Sequence, residues 1–75
     1  MTMIDGNTYI VRHMRKGTFT GRLIYHDEDW ARFEIVAGRT KAMLAYNEAG
    51  VGEEVTVRRS LCRFDEVATT EGGEL

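Results

Sequence analysis

The sequence predicts an all-β fold, a small five-stranded, strongly bent antiparallel barrel. Three observations carry that expectation. Short runs rich in Val, Ile, Thr, Phe and Tyr lie close together with turn residues between them. Proline is absent, and the 8 glycines supply the punctuation. The run TFTGRLIYH alternates about a central glycine, as a strand bent at a barrel corner would.

The elements follow in order. TYIVRHMR, residues 8–15, mixes apolar and polar residues on both faces and reads as a strand. In the second strand Phe19, Gly21, Leu23 and Tyr25 share one face, expected to be core, while Thr18, Thr20, Arg22, Ile24 and His26 share the other. The run His26-Asp27-Glu28-Asp29 reads as a solvated turn, because Asp accepts hydrogen bonds from nearby backbone N–H groups. A metal cluster is the weaker reading, since a hard cation needs more converging ligands. The third strand, WARFEIVA, puts Ala31, Phe33, Ile35 and Ala37 inward and Trp30, Arg32, Glu34 and Val36 outward.

After the tight turn Ala37-Gly38-Arg39, TKAMLAY over residues 40–46 is read as the fourth strand. A helix is the alternative there, since Lys, Ala, Met and Leu are good helix formers. NEAGVG is a loop, and EEVTVRR is a strand with Val55 and Val57 inward. In SLCRFDEV, Leu61, Phe64 and Val67 recur every third residue, which suits a 3₁₀ turn or a final β-bridge. Residues 1–67 are thus one barrel domain, and residues 68–75 are an acidic tail predicted to be disordered.

A chain of 75 residues holds one domain at most. It buries only about 60% of its unfolded surface, so its stability is marginal. Cys62 is alone, which excludes an internal disulfide. No Cys/His cluster supports structural zinc, and no cofactor is expected. Oligomerisation is the remaining way to reinforce so small a fold. The 10 basic against 12 acidic residues, a net charge of −2, argue against a protein that coats DNA, though not against a local basic face. There is no membrane-length apolar run and no signal peptide, and one lone thiol suits a cytoplasmic location.

Gly17, Phe19, Gly21, Leu23 and Asp27 fall in the order of a known signature, with Trp30 and Phe33 at its next apolar positions. Arg58 in VTVRRSLCRF matches the signature's second part. The chain therefore resembles the Sm-like small β-barrel family over residues 8–67, and SH3-like barrels share the same architecture. Departures are visible. The first glycine spacing is one residue tighter, Ala31 stands in place of the family's base-contacting Asn, and Arg59 stands in place of Gly. Almost no room is left before residue 8 for the family's N-terminal helix. The resemblance implies the barrel, and a ring of about five to seven subunits paired edge to edge. RNA binding is implied only weakly, because the Asn and Gly of the family's pocket are replaced.

Trp30, Arg58, Arg59 and Arg63 are the candidate ligand residues. A Trp can stack any base, though packing is the commoner role for a Trp on a strand. Arginine forks suit phosphates, and pairing with Glu53, Glu54, Asp65 and Glu66 is the competing use. Arg12, His13, Arg15 and Lys16 form a second basic group, read as a charged strand end. His13, His26 and Cys62 belong to no nucleophile motif, so no catalytic residue is expected. The expected function is a ring-forming module that binds RNA or a nucleotide. The alternative is a protein-interaction or inhibitor module with no nucleic-acid role.

Overall fold

The structure is a computed structural model that describes residues 2–42 and 47–67. Runs of β-branched and aromatic residues, which favour the pleated conformation, make five strands: β1 (Thr8–His13), β2 (Gly17–His26), β3 (Trp30–Gly38), β4 (Glu54–Arg58) and β5 (Cys62–Glu66). A 3₁₀ turn, Arg59–Leu61, joins β4 to β5. All five form one antiparallel sheet in the order β4-β3-β2-β1-β5. Among the described residues no helix is long and apolar enough to cross a membrane.

Strand membership differs from expectation at the fourth position. Residues 40–42 form no strand, and Met43 to Tyr46 lie outside the described residues. Thr40 is buried and exchanges hydrogen bonds with Ala49, its N–H donating to the carbonyl and its Oγ1 accepting from Ala49 N–H, both at 2.8 Å. Thr40 is thus held against Ala49, and β3 pairs with Glu54–Arg58 instead. Of the two readings of SLCRFDEV, the final β-element is the one found: Cys62–Glu66 is strand, so the spacing of Leu61, Phe64 and Val67 does not mark a helical turn, and the 3₁₀ turn Arg59–Leu61 takes in only Ser60 and Leu61 of the stretch. The expected tail, residues 68–75, lies outside the described residues.

Two expected core residues face outward because of β-bulges. Leu23 pairs with Phe33 and Tyr25 with Arg32, so Ile24 is an extra residue on β2. Thr20 pairs with Ala37 and Gly21 with Ile35, so Val36 is an extra residue on β3. A bulge breaks the inward–outward alternation and tightens the bend. Tyr25 is consequently 54% exposed, and Ala37 is exposed as well.

The core comprises Met3, Tyr9, Val11, Phe19, Leu23, Ala31, Phe33, Ile35 and Val57. Tyr9 is fully buried, and its hydroxyl accepts the Ile4 N–H at 2.9 Å, so its polar end is satisfied. Phe33 sits at the centre. It meets Tyr9 and Phe19 edge-on, with ring centroids 6.3 and 5.9 Å apart, and stacks on Phe64 at 5.9 Å. Phe33 is on β3 and Phe64 on β5, with β2 and β1 between them. A flat sheet would separate those strands by about 14 Å. Ring contact across that span means that the sheet curls on itself, although β4 and β5 do not pair to close it.

Gly21 permits the curl. A Cβ there would lie 2.8 Å from the Phe33 Cβ, closer than such atoms approach, and 3.2 Å from its ring. The Gly21→Ala variant is predicted to lose about 1–3 kcal/mol through overpacking. Gly50→Ala, whose added Cβ meets nothing within 4 Å, serves as the control and should change stability little. Urea denaturation of the two variants checks this, and equal midpoints would contradict it.

Candidate functional site

The β2–β3 connection is built on Asp27. Its Oδ1 accepts the backbone N–H groups of Asp29 and Trp30, each at 2.8 Å, and its own N–H donates to the Trp30 carbonyl at 2.9 Å. The acidic run is thus a turn closed by its first Asp, as expected. The backbone N–H of Trp30, and then that of Asp29, hold the Asp27 carboxyl below its ordinary range. Tyr25 donates its hydroxyl to Asp27 Oδ2 at 3.1 Å, and that bond raises the Tyr25 pKa.

Of the four sequence-predicted ligand residues, the structure brings two together. Trp30 and Arg58 are paired across β3 and β4, and the Arg58 guanidinium lies 4.5 Å from the centre of the indole ring. This is a cation–π contact on a side chain that is 40% exposed. Trp30 is continuous with a groove of about 410 Å³ that Ile24, Tyr25, Asp27, Arg32 and Thr56 complete. Ile24 and Tyr25 enter this surface through the bulge on β2, which no feature of the sequence marks.

Arg59 does different work. Its side chain donates to the Asp27 carbonyl, and its N–H donates to the Asp29 carbonyl at 2.8 Å. It therefore fastens the acidic turn to the start of the 3₁₀ turn. Arg63 leaves the group altogether. It lies on β5 directly opposite Arg12 of β1, and with Met14, Ser60 and Leu61 these residues line a separate cleft of about 360 Å³. The acids set against the arginines in the sequence are only partly used this way. Asp65 pairs with Arg12 and Glu54 lies 3.7 Å from Arg32, while Glu53 accepts from the Gly50 N–H and Glu66 from Asn7.

His13 anchors the β1–β2 turn. Its Nδ1 accepts the N–H groups of Arg15 at 3.0 Å and Lys16 at 2.9 Å. Burial lowers its pKa from the ordinary 6.5, and Lys16 and Arg15 lower it further. Burial pushes the Cys62 thiol up to about 11, so it remains protonated at neutral pH. Among the described residues no group of three or more His, Cys, Asp or Glu side chains is placed to hold a metal ion. No family model matches the chain, and comparisons with curated proteins and with solved structures found no match.

The His13 geometry gives a pH dependence with a definite sign. The folded state takes up the His13 proton less readily than the unfolded chain. Its contribution to stability is therefore complete above pH 6.5 and declines as the pH falls from there through the lowered folded value. Urea midpoints at about pH 7.5 and about pH 5.5 should fall more for the natural protein than for His13→Gln. Equal falls would show that His13 does not hold the turn in its neutral form.

Proposed function

We propose that the protein is a self-assembling Sm-like barrel and serves as a binding module rather than as an enzyme. The observation that carries this reading is the pair of open sheet edges. Only β3 pairs with β4, and only β1 pairs with β5, among the described residues. Each edge also carries an unfinished piece of core: Val55 on β4 and Phe64 on β5 are only partly buried. Unpaired strand edges invite another strand. Joining β4 of one copy to β5 of the next would satisfy both edges and cover both side chains, and a repeated heterologous contact of that kind gives a ring where its rotation closes.

What the assembly binds is a second question, and the surroundings of Trp30 bear on it. An RNA or nucleotide ligand would use Trp30 for stacking, with Arg58 and Arg59 on its phosphates. Against that use, Arg58 already covers the indole, Arg59 is committed to the turn, and Asp27, Glu28 and Asp29 adjoin the patch. Ala31, which stands where Sm-like proteins carry their base-contacting Asn, is fully buried and offers no contact. The groove of Trp30, Tyr25 and Ile24 beside Arg32 has instead the aromatic and arginine composition of protein-binding hot spots. At this face the protein-interaction reading is the better supported.

Light scattering tests the assembly. A native mass of about five to seven subunits is expected. Ladder alternation points the N–H groups of Glu54, Thr56 and Arg58 away from β3, because Ile35 bonds Glu53 and Asp29 bonds Arg59. Thr56→Pro therefore removes an edge donor without breaking the β3–β4 ladder. It should yield a folded protein of single-subunit mass. A natural protein that is monomeric at high concentration would overturn the reading.

A further inference from the structure

The groove beside Trp30 carries more negative charge than the fold pairs off. Tyr25, 54% exposed, and Trp30, 40% exposed, form its apolar walls with Ile24. Asp27 completes it, and hydrogen bonds to both of its carboxyl oxygens favour the charged form. Asp5, bonded to His26, is near enough for its charge to act on Tyr25. Glu28 and Asp29 follow in the turn, both exposed and neither with an ion-pair partner among the described residues. The positive side chains nearby are mostly engaged. Arg32 donates to Thr56 Oγ1 at 3.2 Å and lies 3.7 Å from Glu54, and the Arg59 side chain donates to the Asp27 carbonyl. Arg58 has no carboxylate partner among the described residues, and its guanidinium lies on the indole.

This combination selects the chemistry of a partner. The position of Arg58, 4.5 Å from the ring centre, shows that the indole accepts a guanidinium here. An acidic partner would be set against Glu28 and Asp29. A wholly apolar partner would cover those carboxylates and leave them without a counter-charge, which is costly. A partner that carries a cation beside an apolar side chain meets both requirements. Arginine suits the site better than lysine, because its planar fork both stacks on an aromatic face and bonds a carboxylate through two parallel N–H groups. The volume of about 410 Å³ is at the small end for binding sites, which fits a few side chains of a segment rather than the face of a domain.

We propose that the Trp30 groove docks a segment of another protein in which arginine stands next to apolar residues. An apolar side chain lies against Ile24, Tyr25 and Trp30, and the arginine stacks at the aromatic rim and pairs with Glu28 or Asp29. The proposal rests on the protein-interaction reading of this face and names the partner's chemistry. It does not depend on ring assembly, because every residue it uses belongs to one copy. It also assigns Arg58 a role opposite to that of a ligand-binding arginine: Arg58 occupies the indole in the free protein and competes with the incoming cation.

The test is a titration of the full-length, isotope-labelled protein with a blocked peptide, Ala-Leu-Arg-Arg-Leu-Ala, and with counterparts in which glutamine or glutamate replaces both arginines. The amide signals of Ile24, Tyr25, Trp30 and Thr56 are followed, together with the emission of Trp30, the chain's single indole. Saturable shifts with the arginine peptide, and binding of both counterparts weaker by roughly tenfold, support the proposal. Glu28→Gln with Asp29→Asn should weaken the arginine peptide about fivefold, the loss of two exposed charge pairs. Glu48→Gln with Glu66→Gln removes the same net charge at carboxylates that bond Arg39 and Asn7, and should leave binding unchanged. Arg58→Gln should tighten binding about two- to fivefold, the release of one exposed cation–π contact. Equal binding of the glutamine peptide overturns the proposal and leaves the protein-interaction reading standing. Equal effects of the two double variants, or weaker binding by Arg58→Gln, overturn it as well. If no peptide moves these amides and a short oligouridylate does, the proposal and the protein-interaction reading of this face fall together.

Discussion

The Phe33 ring holds the fold together. It is fully buried, lies over the bare backbone of Gly21, meets Tyr9 and Phe19 edge-on and stacks on Phe64. These contacts reach four of the five strands, because Tyr9 is on β1, Phe19 and Gly21 on β2, Phe33 on β3 and Phe64 on β5. Loss of such a ring costs about 3–5 kcal/mol. That is a large share of the roughly 5–15 kcal/mol that stabilises a small domain. The sheet has to curl for the ring to be covered on both sides, and it can curl only where Gly21 leaves room.

The curl has consequences for the surface. The bulges at Ile24 and Val36 accommodate it, and the first of them delivers Tyr25 to the outer face beside Trp30. The curl also brings the ends of β4 and β5 close enough for a three-residue 3₁₀ turn to join them, yet leaves their edges unpaired among the described residues. That turn separates two surfaces of opposite character. On one side Arg59 fastens the acidic turn near Trp30, and on the other Arg63 faces Arg12. A single packing constraint therefore sets the open edges, the aromatic groove and the basic cleft.

Much of this was legible in the sequence. Phe19, Gly21 and Leu23 on one face of β2, and Ala31, Phe33 and Ile35 on one face of β3, follow from a period of two, and all six are buried. The Asp27 turn followed from its side-chain chemistry. Period-two reasoning failed at Tyr25 and Ala37, since a bulge is a property of paired strands and leaves no mark in either strand alone. It also failed at residues 40–42, where the Thr40–Ala49 hydrogen bonds join residues nine apart. The arginines show the same limit. Trp30 and Arg58 are far apart in sequence and met only because β3 and β4 pair, whereas Arg58 and Arg63 are neighbours in sequence and line different surfaces.

The proposed assembly requires that the two edges left by the curled sheet pair between copies. Residue-resolved amide exchange at low and high protein concentration tests it most directly. Val57 and Arg63, whose N–H groups point into the sheet, should be protected at both concentrations. Thr56 and Phe64, whose N–H groups point outward, should exchange rapidly when dilute and become protected when concentrated. Rapid exchange of Thr56 and Phe64 at every concentration would contradict the account, since the edges would then be open in solution and joined to nothing.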